Sequence, residues 1–447
     1  MNGEIVYTAI HRVLKYGLDV RRKEIPALFW SFIYFFALLS GYYILRPIRD
    51  EMGIQGGVDN LPWMFTATFF ATALVVPIFG WIVSRFRKTS IVPVFYTFFL
   101  VQLLLFYVVF ALDLYPVWRA YVFFVWLSVF NLFVVSVFWS FMVDLYHEEQ
   151  SRRLFGFIAA GGTAGAITGP AISGTVVELV ALQDLFLITA VFLLVAMWAI
   201  RCILQRPPES DEDHPNHRNE HESEDDTRQS DPIGGHALTG VQDLFQSPYL
   251  LLIGLFIVLY TVTSTFVYFG QAEIVEAALD SSAERTQTFA LIDFGTNMLT
   301  LVFQVLLTGR LMEWFGPAPA LLSLPVTTCI GFVALAVSPV LLTLIVFQVA
   351  RRASNYGLSR PAREVLYSPL EASEKYKSKN VVDTVLYRAG DAATGWVFDG
   401  LKALGLSLSG IAVIGSVLSA GWLLLGGGLV YLFHQKSTDT GTGNGGE

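Results

Sequence analysis

Twelve long apolar stretches divide this chain, and they constrain its fold more than any other feature. A helix needs about 20 mostly apolar residues to cross about 30 Å of hydrocarbon, and each stretch is long enough. Only 15% of the 447 residues are charged and 54% are hydrophobic, whereas soluble proteins carry about 25% charge. The sequence therefore predicts an all-α membrane protein with twelve transmembrane helices. The predicted spans are residues 26–46, 61–83, 89–112, 117–142, 154–178, 184–204, 248–270, 286–309, 317–337, 339–358, 380–401 and 408–433.

An acidic segment separates the sixth predicted span from the seventh. Residues 206–247 contain 11 acidic and 3 basic residues, so they account for the whole net charge of −8. Such a polar composition predicts a disordered cytoplasmic linker, placed at 205–247. Metal binding by His214, His217 and His221 is the alternative to a solvated hinge. The linker divides the chain into six-helix bundles at 26–204 and 248–433, with end segments 1–25 and 434–447.

The basic residues predict the orientation of the chain. Placing the N-terminus in the cytoplasm puts 23 of the 29 Lys and Arg residues on the inner side, as the positive-inside rule requires. We therefore expect a multi-pass protein of a bacterial cytoplasmic (inner) membrane, with both termini in the cytoplasm. The five basic residues predicted on the outer side are Arg46, Arg49, Arg119, Arg285 and Lys402.

Composition and motifs argue against several function classes. The excess of acidic over basic residues argues against nucleic-acid binding, which needs a basic face. Cys202 and Cys329 lie in apolar runs and have no metal-ligand spacing. The sequence contains no catalytic triad and no Walker motif. We expect no enzyme activity, no cofactor and no resident metal, and we expect a monomer whose partners are the lipid bilayer and a small-molecule substrate.

Two repeated stretches indicate that the halves are related. Residues 80–88 (GWIVSRFRK) and 309–316 (GRLMEWFG) lie 229 positions apart, and both resemble the inner-loop motif of major facilitator transporters. Residues 161–169 (GGTAGAITG) and 389–395 (AGDAATG) form a second pair. The glycines favour close helix crossing, and a phosphate cradle is the alternative. Repeats of this kind predict a transporter with two pseudo-symmetric halves.

Charged residues inside predicted spans are the functional candidates, because each costs at least about 2.5–3.5 kcal/mol to insert. Arg46 and Arg49 share one helical face and could hold a phosphate or carboxylate. Alternatively they reach lipid headgroups while Asp50 and Glu51 neutralise them.

The second half carries its own candidates. Asp293 has no basic residue within a turn of its helix, which suggests a proton or cation site; a local hydrogen-bonding role is the alternative. Arg388 and Asp391 lie one turn apart. They could form an internal ion pair, or they could be substrate-binding and coupling groups. Asp50, Asp293 and Asp391 are thus the candidate coupling or titrating residues. Arg351 and Arg352 are interpreted as orientation signals at the inner end of the tenth span.

Charges at the inner ends of the spans suggest salt bridges that gate the transporter. The gating candidates are Asp144 with Arg152 and Arg153, and Arg360 with Arg363.

Three stretches resemble the ATP/ADP translocases, the nucleotide transporters of plastids and obligate intracellular bacteria. Residues 45–50 (LRPIRD) are similar to that family's Leu-Arg-x-x-Lys-Asp. Phe138 and Trp139, followed by residues 148–156 (EEQSRRLFG), are similar to its Phe-Trp and Glu-Ala-Lys-Arg-Phe-Tyr-Pro-Leu-Phe-Gly. Residues 363–371 (REVLYSPLE), with 375–377 and 383–384, are similar to its Lys-Glu-x-x-Tyr-x-Pro-Leu and Lys-x-Lys…Asp-Val segment.

The resemblance implies a twelve-span nucleotide exchanger, an antiporter, and assigns roles to individual positions. Arg49 stands at the family's first-span substrate lysine. Asn131 stands at its fourth-span glutamate and Asp391 at its eleventh-span lysine, for which Arg388 could substitute. Together with the charges above, this predicts Arg46, Arg49, Asn131 and Arg388 as substrate-binding residues for a nucleotide or another organic anion. Proton-coupled transport of another metabolite and a non-transporting membrane sensor or assembly partner are the alternatives.

Overall fold

A computed structural model describes residues 20–21, 23–85, 88–205, 247–370 and 386–442. The described residues form twelve helices and no strand. The acidic segment 206–246 and the predicted family-like residues Lys375, Lys377 and Asp383 lie outside the described residues. The helices are α1 Ile25–Gln55, α2 Leu61–Arg85, α3 Lys88–Ala111, α4 Pro116–Leu145, α5 Glu148–Val176, α6 Asp184–Gln205, α7 Pro248–Ala278, α8 Ser282–Phe315, α9 Pro317–Val337, α10 (Leu341–Ser354, Asn355–Ser359 and Arg360–Leu366), α11 Tyr387–Ala403 and α12 Leu408–Thr442.

Ten of these helices are long and apolar enough to cross a membrane, and the prediction of an all-α membrane protein is confirmed. The remaining two are α10 and α11, which carry the charges that the sequence places in the tenth and eleventh spans. In α10 the α-helix stops after Ser354 and a π-helical turn, Asn355–Ser359, leads into Arg360–Leu366. A second π-helical turn, Phe303–Thr308, interrupts α8.

Two compact units make up the fold. Unit 1 contains the described residues of Met1–Arg49, Ala71–Asp231 and Thr286–Leu291, and unit 2 those of Asp50–Phe70, Pro232–Arg285 and Ile292–Glu447. The division into bundles at 26–204 and 248–433 stays a prediction.

Polar residues at the helix starts satisfy backbone N–H groups that have no partner within the helix. The Ser247 hydroxyl accepts from the Leu250 N–H at 3.4 Å at the start of α7. At the start of α8, the Ser281 hydroxyl accepts from the Glu284 N–H and the Glu284 carboxylate accepts from the Ser281 N–H. These caps fix where the apolar helices begin.

Glycines bring α5 against the backbone of α1 within unit 1. A Cβ on Gly161 would lie 2.5 Å from the Phe32 carbonyl oxygen, and one on Gly169 would lie 2.7 Å from the Ser40 carbonyl oxygen. Neither space would admit a side chain, so the predicted close crossing is confirmed for this helix pair. In unit 2, α11 approaches α7 in a similar way, because a Cβ on Gly390 would lie 2.9 Å from the Thr261 side chain.

Candidate functional site

In unit 1, the two arginines of α1 rest on aromatic rings. The Arg49 guanidinium lies 3.9 Å from the centroid of the Phe124 ring on α4, and its Nε donates to the Phe124 carbonyl oxygen at 3.4 Å. Arg46 lies 5.6 Å from the Tyr43 ring centroid. Both side chains are half-buried. Cation–π contacts orient a guanidinium, so the rings of Tyr43 and Phe124 help to position the two arginines.

Asn131 lies on the same face of α4 as Phe124. Seven residues separate the two positions, which is two helical turns. The side chain of Asn131 is half-buried. α4 therefore presents Asn131 on the face that also carries the ring under Arg49.

The two acids that follow Arg49 face other partners within unit 2. Asp50 accepts from the Tyr268 hydroxyl at 2.8 Å, and the fully buried Glu51 lies 3.7 Å from Arg285 Nη1. Their interpretation as neutralising groups for the arginines is therefore wrong for Glu51, which the fold directs to α8. The side chain of Gln55 continues this contact by donating to the Ser282 hydroxyl at 3.1 Å.

Three of the five basic residues predicted on the outer side have acidic partners. Besides Arg285 with Glu51, Lys402 Nζ lies 2.7 Å from Glu273 Oε2, and Arg119 pairs with Asp113. Each of these acidic partners offsets the positive charge of its basic residue.

A network of charges at the start of α1 was missed by sequence reasoning. Glu24 is 1% exposed and lies 3.0 Å from Arg153 Nη2. It also accepts from Gln150 Nε2 at 3.2 Å and from the Arg21 N–H at 3.0 Å. Glu24, just before α1, is thus a buried partner of Arg153, and the predicted gating partnership of Asp144 with Arg152 and Arg153 stays a prediction.

The other gating candidates lie at helix ends. Asp144 and Arg152 are exposed near the α4–α5 turn. Arg360 is exposed and Arg363 half-buried in the last segment of α10. Their gating roles stay predictions.

In unit 2, Asp293 has a basic partner that the sequence does not reveal. Arg352 Nη2 on α10 lies 2.7 Å from Asp293 Oδ1 on α8, and the two side chains are 11% and 1% exposed. The basic partner thus comes from another helix, and a proton or cation site at Asp293 stays a prediction. The interpretation of Arg352 as an orientation signal is wrong, since its charge is used inside the fold.

Arg351, next to it, is buried as well. Its side chain is 4% exposed and Nη2 donates to Gln348 Oε1 at 3.1 Å. Gln348 Nε2 in turn donates to Gln271 Oε1 on α7 at 2.5 Å. Burial at this depth corrects the orientation interpretation for Arg351 too.

The α11 pair is arranged differently from the internal bridge that its spacing suggests. Asp391 accepts from the Thr265 hydroxyl on α7 at 2.9 Å, while Arg388 is half-buried one turn earlier. Tyr387, beside Arg388, stacks on Tyr260 of α7 with centroids 6.0 Å apart. Asp391 is thus tied to α7, which leaves its titrating role a prediction.

The two π-helical turns contact each other. Thr308 of α8 donates its hydroxyl to the Gly357 carbonyl oxygen of α10 at 2.6 Å, and Gln304 donates to the Tyr356 carbonyl oxygen at 3.4 Å. Isolated π turns inside helices occur frequently at functional sites. In α10 the turn begins three residues after Arg352.

Two aromatic pairs differ in exposure. Phe138 stacks on Phe35 at 4.0 Å and is fully buried. Trp63 meets Trp396 edge-on at 4.8 Å, and the two residues are 61% and 40% exposed. The first pair therefore belongs to the packed interior of unit 1, and the second lies at the surface of unit 2.

Comparison with known proteins identifies the fold and its relatives. The sequence profile of the Major Facilitator Superfamily matches residues 27–359. The ADP,ATP carrier protein 1 of Chlamydia pneumoniae is 23% identical over 218 residues, which cover 43% of this chain and 42% of that protein. The protein of the same name from Chlamydia muridarum is 24% identical over 186 residues, or 37% and 35% of the two chains. The matched part therefore spans less than half of each relative.

Solved structures with the same fold are transporters. The nucleoside transporter NupG aligns with a TM-score of 0.60 at 10% identity, over 92% of this chain and 99% of that one. A POT family transporter crystallised with a thioalcohol-conjugated peptide aligns with a TM-score of 0.60 at 11% identity, over 92% and 96%. A bacterial homologue of the human lysosomal transporter Spinster gives 0.56 at 13%, over 93% and 98%. At these identities the likeness concerns the fold alone.

Proposed function

Because the chain belongs to the Major Facilitator Superfamily, we propose that it is a secondary active transporter that moves a nucleotide or a related organic anion by alternating access. We place it in a bacterial cytoplasmic membrane as a monomer, with both termini in the cytoplasm. It is a membrane transporter and not an enzyme.

The observation that carries the anionic substrate is the position of Arg49. Its guanidinium is held against the Phe124 ring in the interior of unit 1, and Arg46 lies on the same face one turn earlier. A guanidinium offers a rigid fork of donors that matches the oxygens of a phosphate or carboxylate. We assign both arginines to the substrate anion, with Asn131 on the facing helix α4 as a neutral hydrogen-bonding contact.

Unit 2 supplies Arg388 as a further proposed contact. The substrate class rests on the Chlamydia ADP,ATP carriers, which are the curated relatives of this chain. Asn131 and Asp391 differ in charge from the residues that the ATP/ADP translocase family has at these positions. This difference favours a substrate range that includes other organic anions.

Proton coupling is a second candidate, and the buried Asp293–Arg352 pair favours it. Protonation of a buried carboxylate would release its arginine partner, which gives a two-state switch inside unit 2. Asp50 and Asp391 are the other candidate titrating groups. If transport is proton-coupled, the gating charges at the inner helix ends are Asp144, Arg152, Arg360 and Arg363.

Uptake by Arg49 variants in proteoliposomes tests the proposal. Arg49→Ala should raise the KM for ADP by about 10- to 100-fold, because a charge-assisted hydrogen bond is lost. Arg49→Lys keeps the charge and loses the fork, so it should give an intermediate value. Arg201→Gln, an exposed position at the end of α6, is the matched control. Unchanged uptake in Arg49→Ala, with folded protein, would remove the arginines from substrate binding.

A further inference from the structure

A buried arginine of unit 2, Arg351, forms no ion pair with any residue that the structure describes. Arg351 is 4% exposed, and the ion pairs found among the described residues do not include it. Its Nη2 has one neutral acceptor, Gln348. Its Nε is buried and reaches no hydrogen-bond acceptor in the part of the chain that the structure describes.

The depth of Arg351 excludes an inner-loop role. α10 begins at Leu341, ten residues before Arg351, and a rise of 1.5 Å per residue places the arginine about 15 Å along the helix. This is about half of the hydrocarbon thickness of about 30 Å. A topology signal would lie at the membrane surface, so the positive-inside rule does not account for Arg351.

Burying the positive charge of Arg351 destabilises the protein when no solute is bound. A buried ion needs a counter-charge and further hydrogen bonds to offset the loss of water. The neighbouring Arg352 already uses the carboxylate of Asp293, and its like charge opposes that of Arg351. Among the described residues no carboxylate forms an ion pair with Arg351, and the anionic group of a bound solute would offset its charge.

Aromatic rings and a fixed amide lie beside Arg351. Asn355, one turn after Arg351, donates to the Tyr260 hydroxyl at 3.0 Å, and Tyr260 stacks on Tyr387 at an interplanar angle of 29°. The Gln348 amide is oriented by its bond to Gln271, so its oxygen faces Arg351. The site thus combines a cation with flat aromatic surfaces, which suits a phosphate or carboxylate attached to a planar ring.

We propose that Arg351 binds the anionic group of the transported solute in unit 2, beside the stacked Tyr260 and Tyr387 rings. This inference rests on the proposed function and deepens it, because it names a binding residue that neither repeats nor family motifs select. It also predicts that the solute carries a planar ring together with its negative charge.

Paired measurements with ADP and adenosine, the same ring system with and without charge, test the inference. Binding to detergent-purified protein is compared among wild type, Arg351→Met, Arg351→Lys and the exposed control Arg201→Gln. Wild type and the control should bind ADP more tightly than adenosine. Arg351→Met should reduce this preference by about 10- to 100-fold. The preference of Arg351→Lys should lie between those of wild type and Arg351→Met.

The melting temperature of the ligand-free protein distinguishes a binding role of Arg351 from a structural one. Removing an uncompensated buried charge should raise the melting temperature of Arg351→Met, whereas loss of a structural arginine should lower it. Failure of Arg351→Met to fold, or an unchanged preference for ADP, would overturn the inference. A wild type that binds ADP no better than adenosine would also overturn it, whereas exchange of another organic anion would leave the proposed function standing. Absence of any solute exchange would instead contradict the proposed function.

Discussion

The ion pair between Asp293 and Arg352 allows the sharpest energetic prediction. At 2.7 Å, two unit charges attract by about 6 kcal/mol with an effective dielectric constant of about 20. Desolvation of both groups offsets much of this attraction. Removing one partner leaves the other charge buried, so Asp293→Asn and Arg352→Gln should each lower the free energy of unfolding by about 3–5 kcal/mol.

The double variant distinguishes this explanation from general damage to the core. Asp293→Asn with Arg352→Gln removes both charges, so its free energy of unfolding should lie closer to wild type than that of either single variant. The assay is denaturant unfolding in mixed micelles.

The exposed pair of Arg21 and Glu149 is the control. The two side chains are 46% and 72% exposed, and an exposed pair contributes about 1 kcal/mol or less. Glu149→Gln should therefore have a small effect. If the double variant at Asp293 and Arg352 loses the sum of the two single losses, the charges do not stabilise each other and the reasoning is refuted.

Three further perturbations have defined outcomes. Gly165→Leu should lower the folded yield in detergent, because it disrupts α1–α5 packing at a cost of about 1–3 kcal/mol. Gly156→Leu should not lower the yield, since no atom lies within 4 Å of a Cβ there. Equal yields of the two variants would contradict this packing. Glu24→Gln should lower the melting temperature, because Arg153 loses its ion pair with a buried carboxylate. Glu149→Gln, whose side chain is 72% exposed, should change the melting temperature little; matching shifts would count against a buried network. Arg388→Gln should raise the KM for ADP uptake about 10-fold or more, and an unaltered KM would exclude this residue as a contact.

The fold was predictable because length and apolarity are local properties. A run of about 20 apolar residues crosses the bilayer as a helix whatever its neighbours are. The small residues of α5 likewise indicate a close crossing, and a Cβ at Gly161 would clash with the α1 backbone. The π-helical turn that follows Ser354 carries no comparable signal, since it depends on packing against α8.

The site was predictable only in part, because partners across helices are not adjacent in the sequence. Arg351 and Arg352 follow an apolar run, so counting charges assigns them to the inner surface. Asp293 lies on a different helix, and only packing brings it to Arg352. Glu24 was missed for the same reason, since its neighbours at the chain start are basic while its partner Arg153 lies on α5.

Counterflow into liposomes tests the central claim most directly. Purified protein is reconstituted into vesicles preloaded with ADP, ATP or a panel of phosphorylated and carboxylated metabolites, and labelled solute is added outside at two pH values. An exchanger of nucleotides or related anions should take up labelled anion only when an anion is present inside. Absence of exchange for every anion in the panel would contradict the account.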